Sequence, residues 1–201
     1  MKKYIIIGVC VLVYWLGFSY RGQLRQQRGE QLVTDAYYGD LIAVKNDVEQ
    51  GAPLEYVFTF EDPVRGYTVQ SFNALQAAAS SGNEDVILFL LDQGFNINAP
   101  TAQGWTPLFI AARDGRAEAA KLFVFRDAEL NLQTNLGTTA LTMVVTQPYP
   151  TEKARLELLE YMLKRGADPN IEDIYHHTAL YYATEKKQKD VANLLRKYGA
   201  Q

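Results

Sequence analysis

Apolar residues along this chain recur as short stripes of helical spacing, separated by small and turn-forming residues, and the stripes come in pairs. After Gly82 come Ile87, Leu90 and Leu91, then Gly94 and Asn98. The same order returns as Phe123, Val124 and Asn131, then as Met162, Leu163, Gly166, Ala167 and Asn170, and last as Val191, Leu194, Leu195, Gly199 and Ala200. Such pairs fall on one helix face, and a following glycine permits the left-handed backbone that ends a helix. A shorter stripe precedes each: Asn73-Ala74-Leu75, Thr106-Pro107-Leu108, Thr139-Ala140-Leu141 and Thr178-Ala179-Leu180. Asn and Thr are good N-caps, and Ala or Pro suits the first helical position. Leu75, Leu108 and Leu141 are 33 residues apart, and Leu180 follows after 39. A weaker copy comes first, with Leu32, Ala36, Gly39, Val44, Val48 and Gly51. The pattern predicts five helix pairs.

The fullest copy runs from Gly104 through Trp105-Thr106-Pro107-Leu108-Phe109-Ile110-Ala111-Ala112 to Gly115. It resembles the ankyrin repeat motif, T-P-L-H-x-A with a period of 33 residues, with Phe109 where that family usually has His. The resemblance covers most of the chain in constant phase. It implies an all-α solenoid of about five helix pairs with hairpin fingers, each unit packing only on its neighbours. The repeats are placed at about 32–55, 72–99, 105–132, 138–171 and 177–201, in a domain spanning 32–201.

Two irregularities interrupt the phase. Gly39 to Gly82 is 43 residues, ten beyond one period, and the surplus lies at 53–71. There Tyr56-Val57-Phe58-Thr59-Phe60 and Tyr67-Thr68-Val69 flank a Pro/Gly turn, which predicts an elongated hairpin. Asn131 to Asn170 is six residues too long, and Gln147-Pro148-Tyr149-Pro150-Thr151 replaces the usual glycine between the helices of the fourth pair. Proline cannot continue a helix, so a protruding loop is expected over 147–153.

Ahead of the repeats, Lys2 and Lys3 precede an uncharged run of 17 residues, Tyr4 to Tyr20. Residues 1–20 read either as a signal peptide, with Gly17-Phe18-Ser19 at the cleavage site, or as an apolar transmembrane anchor helix about 25 Å long. A lipoprotein reading of Cys10 is disfavoured by the bulky Val9 before it and the apolar sequence after it. Residues 21–31 form a polar, basic connector or an extension of the first helix. Lys2 and Lys3 favour a cytoplasmic N-terminus, against the pull of Arg21, Arg25 and Arg28. The expected location is therefore a bacterial inner membrane with an extracytoplasmic repeat domain, or the periplasm if the segment is cleaved.

Charge and chemistry narrow the function. The net charge is −3, and without Lys2 and Lys3 the balance is 18 basic against 23 acidic residues, which disfavours nucleic acid as a partner. His176 and His177 are adjacent in a predicted turn, so their side chains diverge, and no metal-ligand spacing occurs. No phosphate loop or activated nucleophile can be assembled. Neither an enzyme, nor a cofactor, nor a small-molecule substrate is expected.

The resemblance implies instead a concave surface of hairpin tips and inner helix faces that binds another protein. Carried onto this chain, those positions are Phe72, Ser80 and Ser81; Gln103, Trp105, Arg113 and Asp114; Leu136, Thr138, Thr146 and Gln147; and Tyr175, His177, Glu185 and Lys186. Trp105 leads, because Trp, Tyr and Arg dominate interface energetics, with Phe72 and Tyr175 extending an aromatic ridge and Tyr56, Phe58 and Phe60 contributing from the long finger. The function so implied is a non-catalytic interaction module, exported or membrane-tethered, acting as an immunity protein or inhibitor of a toxic envelope enzyme. The alternatives are a periplasmic protective factor for a resident enzyme and a cytosol-facing membrane adaptor.

Overall fold

The computed structural model describes residues 22–60 and 70–201. Residues 22–38 form one helix, α1, and Leu41–Glu49 form α2. Phe58–Phe60 (β1) and Gln70–Phe72 (β2) make a two-stranded ribbon. Four helix pairs follow: α3 (Ala74–Ser81) with α4 (Glu84–Asp92), α5 (Pro107–Arg113) with α6 (Ala117–Phe125), α7 (Ala140–Thr146) with α8 (Glu152–Lys164), and α9 (Ala179–Glu185) with α10 (Lys189–Lys197). With α1 and α2 that makes five pairs among the described residues. The apolar run 4–20 lies outside them, and no described helix is long and apolar enough to cross a membrane.

The inner helices start where the caps dictate. Asn73, Thr106, Thr139 and Thr178 hold extended backbone, and each side chain accepts from the N–H three residues on, at 2.9 to 3.3 Å. Asn73 completes a capping box with Gln76, whose own amide reaches Ala99 O at 2.8 Å in the finger that follows. Leu75, Leu108 and Leu141 are buried one above the next, and Ala77–Ala79 and Ala111–Ala112 let successive inner helices approach closely. The outer helices end alike: Phe95, Ala128, Ala167 and Ala200 each donate an N–H to a carbonyl five residues back, closing a Schellman turn.

A polar ladder ties repeats two to five together. Asn98 Oδ1 accepts from Glu129 N–H at 3.0 Å, Asn131 Oδ1 from Asp168 N–H at 2.9 Å, and Asn170 Oδ1 from Gln201 N–H at 2.9 Å. The amide nitrogens point the same way, to Glu129 Oε1, Gly166 O and Gly199 O. The recurring asparagines thus couple neighbouring units.

Both insertions are anchored by a tyrosine. In the first, β1 and β2 run antiparallel with Phe58 opposite Phe72 and Phe60 opposite Gln70, while residues 61–69 and the Phe60 side chain lie outside the described part. Tyr56, at the base, packs on α1 so closely that a Cβ at Gly29 would collide with its ring, and its hydroxyl donates to Glu30 Oε1 at 3.1 Å. Burial first, then that carboxylate, push the Tyr56 hydroxyl pKa up. The second insertion does not protrude as expected. Tyr149 folds back onto repeat three and donates its hydroxyl to Ala112 O at 2.8 Å, a carbonyl in the last turn of α5 that also accepts from Gly115 N–H at 3.3 Å. Pro148 O comes within 2.9 Å of where a Cβ on Gly115 would stand, so that site, with φ of +71°, takes glycine for room and conformation alike. Thr151 then caps α8, which at 13 residues is four longer than α4, α6 or α10 and absorbs the rest of the insertion.

Candidate protein-binding surface

The concave side carries two aromatic stacks at the same register. In repeat three, Trp105 stacks on Phe109 with ring centroids 5.9 Å apart at 22°. In repeat five the equivalent pair, His177 and Tyr181, stacks at 3.8 Å and 7°. Both pairs span i and i+4 across the start of an inner helix, the spacing that brings side chains over one another. Repeat four has Thr138 and Thr142 there instead.

What lies over each stack differs. The Arg113 guanidinium sits 4.6 Å from the Trp105 ring and 5.9 Å from the Phe72 ring, a cation held between two faces. It is also clamped by Asp114, with Nε and Nη2 each 2.7 Å from a carboxylate oxygen, and Asp114 accepts from Ser80 Oγ at 2.6 Å. The expected lead residues therefore form an internal cluster in which Arg113 and Ser80 both bond Asp114, and Trp105 is half-buried. Phe72 is only 3% exposed, so it is a core residue and no part of an open aromatic ridge. The reason is local: where Trp105 closes a tight turn by accepting from Thr101 N–H at 3.0 Å, Phe72 lies in β2 of the longer hairpin. Tyr56 is likewise turned inward onto α1, and Phe58 is half-buried against the core. Ser81 donates to Ala77 O and Ala78 O and receives Asn83, so its hydroxyl caps its own helix. Thr138 pairs with Thr134 at 2.7 Å.

In repeat five the residue in register with Arg113 is Glu185, and the stack stays open. Tyr175 is 66% exposed, Ile174 52% and, one finger back, Leu136 57%. Tyr175 and His177 rings are 6.2 Å apart, which joins the tip to the stack, and Tyr181 is also exposed. This apolar ridge rests on a fixed ladder. Ile174 N–H donates to Leu136 O at 3.2 Å, and Asn135 N–H donates to Gln103 O at 3.0 Å. Asp173 braces the base, accepting from Tyr175 N–H at 2.8 Å, His177 N–H at 3.1 Å and the Tyr182 hydroxyl. Burial alone would raise the Asp173 pKa, but the bonds from Tyr182 and the two backbone N–H groups outweigh it and hold it below the ordinary carboxylate value. The same bond, then burial, pushes Tyr182 up to about 12. His176 turns away with φ of 60° and meets Glu172 at 2.9 Å, so the two histidines diverge. Among the described residues no group of His, Cys, Asp and Glu could hold a metal ion.

Ile174, Tyr181 and Tyr149 were absent from the sequence-derived surface. For Tyr181 a signal existed: with His177 it repeats the i, i+4 aromatic spacing of Trp105 and Phe109.

Comparison with known proteins places these features in context. A family model for ankyrin repeats in three copies matches residues 43–134 and 119–201. The chain is 28% identical over 134 residues to an ankyrin repeat, SAM and basic leucine zipper domain-containing protein of Dasypus novemcinctus, covering 67% of this chain and 28% of that one. It is 31% identical over 136 residues to an ankyrin repeat-containing protein of Treponema pallidum, covering 68% of this chain and 44% of that one. The chain thus spans less than half the length of these relatives.

Proposed function

Because the chain belongs to the ankyrin repeat family, whose repeats serve protein–protein interaction and are generally non-catalytic, we propose that it binds a partner protein through the fingertips of repeats four and five. One observation carries the reading. Leu136, Ile174, Tyr175 and the His177–Tyr181 stack form a connected, exposed apolar ridge on rigid turns, with nothing over it among the described residues. Exposed aromatics of this kind mark interaction sites, and their preorganised turns lower the entropy lost on binding.

The test is capture of a stoichiometric partner by the full chain, compared with Tyr175→Ser, Leu136→Ser and Trp105→Ala. Tyr175→Ser is expected to leave stability within about 0.5 kcal/mol and to weaken binding by about 2 kcal/mol. Capture unchanged in Tyr175→Ser and Leu136→Ser overturns the placement.

The apolar run 4–20 supports tethering of this module to a membrane with the repeats on the extracytoplasmic side. Membrane fractionation and protease accessibility of the full chain against a 4–20 deletion test that part. In its most specific form the proposal makes the protein an immunity protein, which requires the captured partner to be an envelope-directed enzyme that loses activity when bound. A partner that keeps or gains activity assigns a protective role instead.

A further inference from the structure

One repeat of this chain shows what belongs on the open stack of another. In repeat three, Trp105, Phe109 and Arg113 stand in a line at i, i+4 and i+8, and the line is complete. The aromatic pair carries a guanidinium, 4.6 Å from the Trp105 ring, and the neighbouring Asp114 carboxylate holds that guanidinium at 2.7 Å. In repeat five the same positions are His177, Tyr181 and Glu185. The aromatic pair is there, the guanidinium is missing, and a carboxylate stands in its place.

The charges around that stack are few. Glu185 is exposed, and among the described residues its carboxylate has no hydrogen-bond or ion-pair partner. Asp173, under the stack, accepts from two backbone N–H groups and the Tyr182 hydroxyl, none of them cationic. Glu172 and His176 meet each other at the tip. Of the two lysines after Glu185, Lys186 reaches across to Thr146 O. Lys187 shares the left-handed backbone of Gly115, where a Cβ would face Pro148 of the following repeat, so its side chain leaves on the side away from repeat four. On the repeat-four side the line reads Thr138, Thr142 and Thr146, short side chains that leave the flank of the stack clear.

We propose that the partner protein supplies the missing cation, as an arginine laid on the His177–Tyr181 stack and paired with Glu185. The inference rests on the fingertip reading and adds the chemistry that the ridge recognises. A planar guanidinium lies flat on a ring while presenting two N–H groups to one carboxylate, which an ammonium cannot do, so arginine is selected over lysine. Apolar residues beside it in the partner meet Tyr175, Ile174 and Leu136, all exposed. The chain thus makes with its partner the contact that it makes within itself in repeat three.

The test is a peptide-display selection on the full chain held in mild detergent, followed by affinities of synthetic peptides from the enriched set. The expected consensus is an arginine next to apolar residues. Replacing that arginine by citrulline, which keeps the shape and removes the charge, should lower affinity at least tenfold. Glu185→Gln should lower it by the same factor for the arginine peptide and by nothing further for the citrulline peptide. An unchanged melting temperature for Glu185→Gln, an exposed and nearly isosteric change, checks that the loss is local. Peptides that are lost in Tyr175→Ser and Leu136→Ser but carry no arginine, or bind equally well once it is citrulline, overturn the proposal and leave the ridge reading standing. Peptides indifferent to Tyr175→Ser and Leu136→Ser, or no enrichment at all, overturn the ridge reading and this proposal with it.

Discussion

The Trp105–Phe109 and His177–Tyr181 stacks occupy the same two positions of the repeat, yet one is closed and the other open. The difference is one residue at the far end of the inner helix: Arg113 covers the first, and Glu185, at the same register, leaves the second bare. An aromatic pair on a concave face is thus neither core nor interface by its own nature. What decides is whether the chain itself supplies the cation that lies on the ring.

The largest expected effect tests the closed stack. Trp105→Ala removes the ring that Arg113 and Phe109 both pack on, and should cost about 2–3 kcal/mol in chemical denaturation. A loss under about 0.5 kcal/mol would return Trp105 to the surface and erase the contrast.

A second test carries the comparison to buried carboxylates. Asp173 is held below its ordinary pKa by donors, so its bonds stabilise the fold above that value and fade as acid protonates it. Asp47 is the reverse case. Burial first, then the Asp35 carboxylate, raise it to about 6 against a partial offset from Arg28, and its Oδ2 is buried without a hydrogen bond. A raised carboxyl pKa means that the folded chain holds more protons, so stability should decline as pH rises from about 4 to about 6. Asp47 is only half-buried, so solvent screening holds the decline to about 1 kcal/mol. Asp47→Asn should remove it, measured as urea midpoints across that range.

Smaller effects follow. Tyr149→Phe removes the shorter of the bonds to the Ala112 carbonyl, which keeps the one from Gly115 N–H at 3.3 Å, and should cost about 1 kcal/mol by the same denaturation measurement. Glu185→Arg copies the repeat-three arrangement into repeat five. It should add about 0.5 kcal/mol of stability by covering the His177–Tyr181 stack, and should weaken capture of the partner. Unchanged capture would show that the open stack is not the binding element.

The scaffold was legible because its determinants are local. Thr106, Pro107 and Gly115 specify a start and an end within ten residues, and the period carries that information through the chain. The surface was less legible, because exposure depends on partners distant in sequence. Phe72 shares a register with Trp105, but its burial follows from pairing with Phe58 across a hairpin the neighbouring repeats lack. Tyr149 reads as loop decoration until its hydroxyl is seen to meet a carbonyl 37 residues earlier. Glu185 draws attention only once its counterpart Arg113 is found lying on a ring.

The tyrosine strap across repeats three and four bears on how the chain comes apart. The asparagine ladder bonds repeats two to five forward, while Tyr149 returns a side chain from the second insertion to the unit before. The junction of repeats three and four thus has the strap in addition to backward side-chain bonds of the kind its neighbours also make, from Arg116 to Ser80 O and from Lys186 to Thr146 O. Under mechanical load or mild denaturant the array has a stiff waist. Amide exchange should be slowest in α5 and α7, with fraying that advances from both ends and reaches the waist last.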